Sequence, residues 1–509
     1  MFSLSILDEK WIPVIYFDGC ISKIKPSQLV DEAISDLAYF RPDFRGAAYQ
    51  FLIGLLQTTF SPGDNDEWLS YWYGGISQSQ LDEAFKQAKP AMQFGKKKPA
   101  FMQDFTPLNG NKVPISGLLV EAPGENTLKK NTDHFIKRDF VKAICPHCAV
   151  MALFSLQTNA PSGGQGHRVS LRGGGPITTL MMPELNTLTP LWKKLWLNVI
   201  PIDDDKKIQN YDETVFPWLN KTITSEPPKN LSVFPEQANC CQAFWGMPRR
   251  IELDFDNMTQ GSCDLCGENS SKLISHYKTK NYGIQYQNWR HPLSPYRYDS
   301  RTGTPIAIKG QPEGLIYRDW LGMVKTNNEI QSAQVVAIHY YRTLKSLENY
   351  HLWCFGYDFD NMKARSWYER TFPIYPLLTD ADSDIKELIE LAIEFSKNAL
   401  LLLRKALISI NKQSSSVDIA YWKETEIPFY QLLKQLTKDK PNSRIHLLLK
   451  WMNILLKYIT QVYDKAAFSD PDQQIISSQK INAREKLLND FNKLRNIKKL
   501  KIINRPDCI

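Results

Sequence analysis

The chain has 509 residues, 43% hydrophobic and 23% charged, with a net charge of +8 at pH 7. That length can bury a large core and predicts two or more domains, and the composition is that of a soluble globular protein. Apolar runs such as 399–403 fall far short of a membrane span, and the mild basic excess is compatible with a polyanionic partner without demanding one.

Aromatic residues make up 12% of the chain, which points first to large cores and second to stacking surfaces. Nine cysteines comprise two C-x-x-C pairs and five others, Cys20, Cys240, Cys241, Cys354 and Cys508. An odd count with two close pairs predicts metal thiolates in a reducing compartment, not a disulfide framework. The first ten residues are partly acidic, carry no long apolar segment and show no signal-peptide pattern, so a cytosolic protein is expected.

In chain order, residues 1–30 read as a hairpin or short strands around a turn at Asp18-Gly19, with Ser27 and Asp31 as candidate caps of a following helical segment. Residues 46–59 read as a buried helix stopped by Ser61-Pro-Gly63, and 68–89 as partly helical. From 119 to 142 the sequence turns polar without sustained periodicity and reads as a long exposed loop, a class that is usually functional or disordered. Residues 149–156 form an apolar helical stretch, 177–182 a strand, 189–198 a short amphipathic helix, 244–253 a strand and 333–343 a helix.

The texture changes after Pro376. Helical patterns cover 385–410, 417–436, 444–463 and 481–494, separated by Ser414-Ser-Ser416, Pro441-Asn442 and Ser469-Asp-Pro471. Four amphipathic helices with short links predict an up-down bundle. The expected architecture is therefore α+β, with a mixed α/β body over 1–376 and a C-terminal four-helix bundle over 377–509.

Two motifs carry chemistry. Cys145-Pro-His-Cys148 and Cys263-Asp-Leu-Cys266 have the spacing by which each pair wraps one edge of a tetrahedral structural zinc. One zinc per chain on Cys145, Cys148, Cys263 and Cys266 would staple distant parts of the body, with Gly267 serving the tight knuckle turn and His147 a bystander. The other readings are four unrelated buried cysteines or a redox pair, and the second pair weighs against the redox one.

Ser162-Gly-Gly-Gln-Gly-His-Arg168 and Ser170-Leu-Arg-Gly-Gly-Gly-Pro176 follow the first pair, carrying Arg168 and Arg172. Glycine amides without a Cβ can approach an anion, so the loop is a candidate backbone cradle; an irregular linker is the plain alternative. It matches neither a Walker A nor a dinucleotide fingerprint, which disfavours a nucleotide-binding enzyme. Eight histidines are scattered with no pair at ligand spacing, and Asp358-Phe-Asp360 lacks a third ligand nearby. No catalytic constellation emerges.

These pieces together resemble the large subunit of type I-E CRISPR Cascade surveillance complexes, the CasA family. The resemblance spans nearly the whole chain. It rests on Trp11-Ile-Pro-Val14, Pro99-Ala-Phe-Met-Gln103, Asn126-Thr-Leu128, both cysteine pairs and both glycine clusters. Met247-Pro-Arg-Arg250, His291-Pro-Leu-Ser-Pro295 and the run 356–365 complete it. The number and order of the motifs carry it.

The resemblance implies a non-catalytic subunit that reads the protospacer-adjacent motif (PAM) on double-stranded target DNA and starts strand separation and R-loop formation. It implies partners in the other Cascade subunits, the crRNA and a helicase-nuclease recruited after R-loop formation, and no membrane. Protein reads the PAM while guide pairing reads the rest. By motif position, Gly163, Gly164, Gln165 and Gly166 form the PAM-facing loop, and Lys280, or else Lys278, the minor-groove lysine finger. Asn361, Met362, Lys363 and Ala364 fall at the wedge hairpin, and Asn126, Lys129, Lys130 and Asn131 at the loop that meets the crRNA end. Gln165 stands where another glycine can stand and Lys129 where an aromatic is common. Other classes remain: a zinc-stapled nucleic-acid-binding subunit of an unrelated complex, and a metal-dependent nuclease. The basic run from Lys480 to Arg505 is either a solvated face or a guide for a displaced strand.

Overall fold

The computed structural model describes all residues except 1, 111, 132–137, 165, 185–187, 312–313, 328, 346–349, 361–362, 376–382, 413–414, 439–440, 469–477 and 496–509. The chain divides into two compact units, Met1–Pro312 with Asn328–Phe372, and Glu313–Asn327 with Pro373–Ile509.

The first unit is built on the helix Pro42–Thr59. Pro42 occupies the first helical position, where its missing N–H is no loss, so the helix starts before the apolar pattern does. Every residue from Gly46 to Thr58 is buried, the all-round burial of a core helix. Its polar members are paired: Gln57 exchanges two 2.8 Å hydrogen bonds with the backbone of Ile200. Phe51 is ringed edge-on by Trp11, Phe101, Phe154 and Trp245 at centroid distances of 5.6–6.0 Å, so much of the aromatic content is core. The helix Pro146–Asn159 packs alongside.

Among the described residues the first unit contains three three-stranded sheets. Ile12–Tyr16 lies between Ile21–Ile24 and Ile34–Leu37, with Val14 opposite both Ser22 and Leu37. His276–Lys280 lies between Lys112–Pro114 and Arg250–Leu253. Tyr350–Asp360 lies between Thr178–Pro183 and Lys363–Pro373. Antiparallel pairing in the strand ladders beside these helices makes this an α+β body.

Several local expectations fail for local reasons. No helix follows Ser27 and Asp31: Pro26–Val30 is a 3-10 turn, and the Asp31 carboxylate accepts from the Ala33 N–H at 3.0 Å before the strand Ile34–Leu37. Only Arg250–Leu253 of the expected strand 244–253 is extended, because Asn239 caps a 3-10 helix, Cys240–Trp245, that turns Phe244 and Trp245 into the core. The stretch read as a loop at 119–142 contains a short helix, Glu125–Lys129, with the remainder partly outside the described residues.

Among the described residues the second unit holds four long helices, Ser383–Ser409, Ser415–Lys438, Pro441–Phe468 and Ser478–Arg495, and the short helix Trp320–Val324. Ser383–Ser409 packs on both Pro441–Phe468 and Ser478–Arg495. Glu313–Asn327 belongs to this unit, which a single boundary at 376 does not anticipate. Tyr317 explains it: its ring stacks on Phe429 at 4.3 Å and its hydroxyl meets that of Thr425 at 3.0 Å.

Candidate metal centre and nucleic-acid interface

Cys145 caps the helix Pro146–Asn159, its Sγ accepting from the Cys148 N–H at 3.5 Å while its own N–H donates to Cys263 Sγ at 3.2 Å. The second pair sits in the turn between Thr259–Ser262 and Asn269–Leu273, closed by Gly267 at φ +75° and a 2.8 Å bond from its N–H to Cys263 O. Ile144 and Ile274 exchange backbone hydrogen bonds, and Asp264 accepts from the N–H groups of Lys142 and Ala143 at 2.7 and 2.8 Å. These bonds bring the two knuckles together.

The four sulfurs of Cys145, Cys148, Cys263 and Cys266 lie within 4.8 Å of one another. A tetrahedral thiolate site with Zn–S of about 2.3 Å has sulfur edges of about 3.8 Å, and Cys145 Sγ and Cys266 Sγ stand 3.8 Å apart. The donor set fits a soft divalent metal. His147 is half-buried outside the sulfur cluster, and burial lowers its pKa.

The first glycine loop leaves the same helix. The Gly163 N–H donates to His167 O at 3.0 Å, and Gly166, at φ +83°, accepts at its carbonyl from the Tyr282 N–H at 2.9 Å. A Cβ on Gly166 would fall 2.6 Å from the Tyr282 ring, whereas one on Gly164 would meet nothing within 4 Å. Gly164 therefore presents bare backbone to open space. Gln165 lies outside the described residues.

Arg249 supports the loop from below, donating from Nη2 to Pro161 O at 2.5 Å, and its Nε is buried without a partner. Burial brings its pKa down to about 10. The doubled arginine of 247–250 is the only sequence trace of this role. Arg168 is held by Ser225 at 2.7 and 3.1 Å. Arg172 is fully inside, bonded to Thr178, Ser294 and Gln50 at 2.7–3.0 Å, so it cannot reach a ligand from the loop.

Lys280 is exposed at the end of the strand His276–Lys280, two residues before the Tyr282 that grips Gly166. Lys278 is on the same face, half-buried, one pleat further from the loop. The second glycine cluster reaches the hairpin: a Cβ on Gly175 would lie 2.4 Å from Phe359, and one on Gly174 3.0 Å from Pro161 Cα. Lys363 is exposed and Ala364 half-buried where the return strand begins. Asn361 and Met362 lie outside the described residues. Asp358 is bound two-pronged by Arg365 at 2.6 and 2.8 Å, which spends its charge on an ion pair. Among the described residues only the four cysteines form a metal-ligating group of three or more.

Asn126 lies in the helix Glu125–Lys129, and Lys129, Lys130 and Asn131 are exposed. Asn131, at φ +51°, accepts from Arg138 at 2.9 Å. In the last helix Arg484 pairs with Asp464 and Lys493 with Asp490, which favours a solvated face at those two positions. No helix among the described residues is long and apolar enough to cross a membrane.

Against known proteins, the sequence model of the CRISPR-associated protein Cse1 family matches residues 6–462. The structure of Thermus thermophilus CasA (Cse1) superposes with a TM-score of 0.69 at 15% identity, covering 96% of this chain and 99% of that one. Thermobifida fusca Cse1 gives 0.70 at 14% identity, covering 99% of each. A chain of a CRISPR RNA-guided surveillance complex gives 0.67 at 14% identity, covering 96% and 99%. At these identities the superpositions speak for the fold.

Proposed function

Because the chain belongs to the CRISPR-associated protein Cse1 family, we propose that it is the non-catalytic large subunit of a type I-E Cascade, working in the cytoplasm with crRNA and other Cascade subunits. It reads the PAM on double-stranded DNA, starts R-loop formation and offers a platform to the helicase-nuclease. The likeness to a chain of an RNA-guided surveillance complex supports the assembly.

One observation carries the PAM reading. The Tyr282–Gly166 bond locks the glycine loop onto the end of the lysine strand, and the second glycine cluster abuts the hairpin. Bare backbone at Gly163, Gly164 and Gly166 enters the minor groove, where Lys280 adds a charge and a donor. The residues 361–364 divide the base step beside it. Unstacking costs a few kcal/mol and is offset by contacts to the opened strands. Asn126, Lys129, Lys130 and Asn131 meet the crRNA end.

The metal is zinc, held by the four cysteines; when bound it fixes the base of the loop through the helix Pro146–Asn159. The site has no open position in this reading, so it is structural. Co-expression with the neighbouring subunits tests the assembly: the chain is expected to co-purify with a short RNA, and the assembly to deplete one short motif from a duplex library. A chain that purifies alone, or depletion of no motif, contradicts the reading.

A further inference from the structure

Between the start of the glycine loop and the hairpin lies a cavity of about 310 Å³. Its walls include Pro161, Gly174, Lys309, Gly310, Phe359 and Arg365. Small-ligand sites begin at about 300 Å³, so the space suits one group the size of a nucleotide and little more. Gly310 packs directly on the hairpin strand, since a Cβ there would lie 2.8 Å from Tyr357 O.

The charges are unequal. Arg365 is committed to Asp358 at 2.6 and 2.8 Å, with Asp360 3.9 Å from its other nitrogen. Lys309 is exposed, and among the described residues no carboxylate or acceptor engages its ammonium. Lys309 is therefore the surplus cation of the cavity. Phe359 adds a half-buried aromatic side chain in the same wall. A cation for a phosphate and an aromatic ring for a base are what binds a single-stranded nucleotide irrespective of its identity.

We propose that this cavity receives the first nucleotide unstacked from the duplex, with its base against Phe359 and its phosphate on Lys309. The inference rests on the wedge reading of residues 361–364. A wedge alone leaves the parted base in water and free to pair again. A pocket beside Phe359, next to last in the strand Tyr350–Asp360, holds it out.

The test uses the chain assembled with its guide RNA and partner subunits. A duplex carrying the PAM and 5-iodouracil at the adjoining base pair, in one strand or the other, is irradiated and the crosslinked peptide identified. The expected crosslink falls on the peptide containing Phe359. It falls about tenfold in Lys309→Glu and in Phe359→Leu, and Lys309→Arg retains it. Gel shifts on the same samples score PAM-dependent binding. PAM-dependent binding with the crosslink elsewhere, or a crosslink indifferent to Lys309→Glu, overturns the pocket and leaves the wedge standing. Loss of PAM dependence in the unmodified assembly overturns both. Protection of the Phe359 peptide from hydrogen exchange by a partner subunit in the DNA-free assembly makes the cavity a docking site and also overturns the proposal.

Discussion

Tyr357 donates its hydroxyl to Asp43 Oδ2 at 2.6 Å, tying the hairpin strand to the first turn of the central helix. Arg41 grips the same carboxylate at 2.7 and 3.0 Å and reaches Glu121 at 2.9 and 3.0 Å. The hairpin and the segment that enters the Glu125–Lys129 helix are thus anchored on one cluster of charges.

Tyr357→Phe removes a buried hydrogen bond to a charged group, an interaction that contributes about 1.5–3 kcal/mol. The expected outcome is a lower urea midpoint for the first unit with little change in slope, read by tryptophan fluorescence. An unchanged midpoint would mean that water replaces the hydroxyl at no cost.

The metal centre predicts one zinc per folded chain. Structural zinc binding in small domains amounts to about 10–16 kcal/mol, so Cys263→Ser is expected to give insoluble or unstable protein, and a strong chelator to lower the melting temperature. Metal analysis of well-folded protein without zinc would refute the assignment.

Glycine substitutions separate fold from ligand approach. Gly166→Ala meets both a positive φ and the Tyr282 ring, so it is expected to disturb the loop and lower PAM-duplex binding. Gly164→Ala is sterically free in the chain itself, so its melting temperature should match the parent. If DNA reaches that backbone, binding still falls about tenfold. Unchanged binding in Gly164→Ala would place the groove elsewhere.

The first unit should weaken in acid. Burial, with Arg249 second, holds His167 down to about pKa 4, and burial holds His351 to about 4. Unfolded, each titrates near 6.5. Below that value the unfolded chain binds protons the folded one refuses, so this stability is complete above about pH 6.5 and is lost as pH falls towards 4. His167→Gln is expected to flatten the decline in melting temperature over that window. A parallel curve would show that His167 does not contribute.

The four C-terminal helices and the core helix were legible because apolar spacing directly records a buried face. The four-cysteine cluster was legible because thiolate pairs have few other uses at that spacing. The contacts of Arg249 and Tyr282 were not, since each depends on which distant backbone it meets. Arg172 shows the same limit: it stands beside glycines in the sequence, yet Gln50, from the core helix, holds it inside. Glu313–Asn327 carried no sign of its partner unit because Tyr317 and Phe429 are far apart in sequence.

The central claim is that the loop, Lys280 and the hairpin act together to open a duplex at the PAM. The direct measurement compares affinity for a closed PAM-bearing duplex with affinity for a pre-opened target complementary to the guide. It is made for Lys280→Ala and for the double alanine at Met362 and Lys363. The account predicts that each variant loses about tenfold or more on the closed duplex and binds the pre-opened target nearly as the parent does. Equal losses on both substrates would make these residues general backbone contacts and contradict the account.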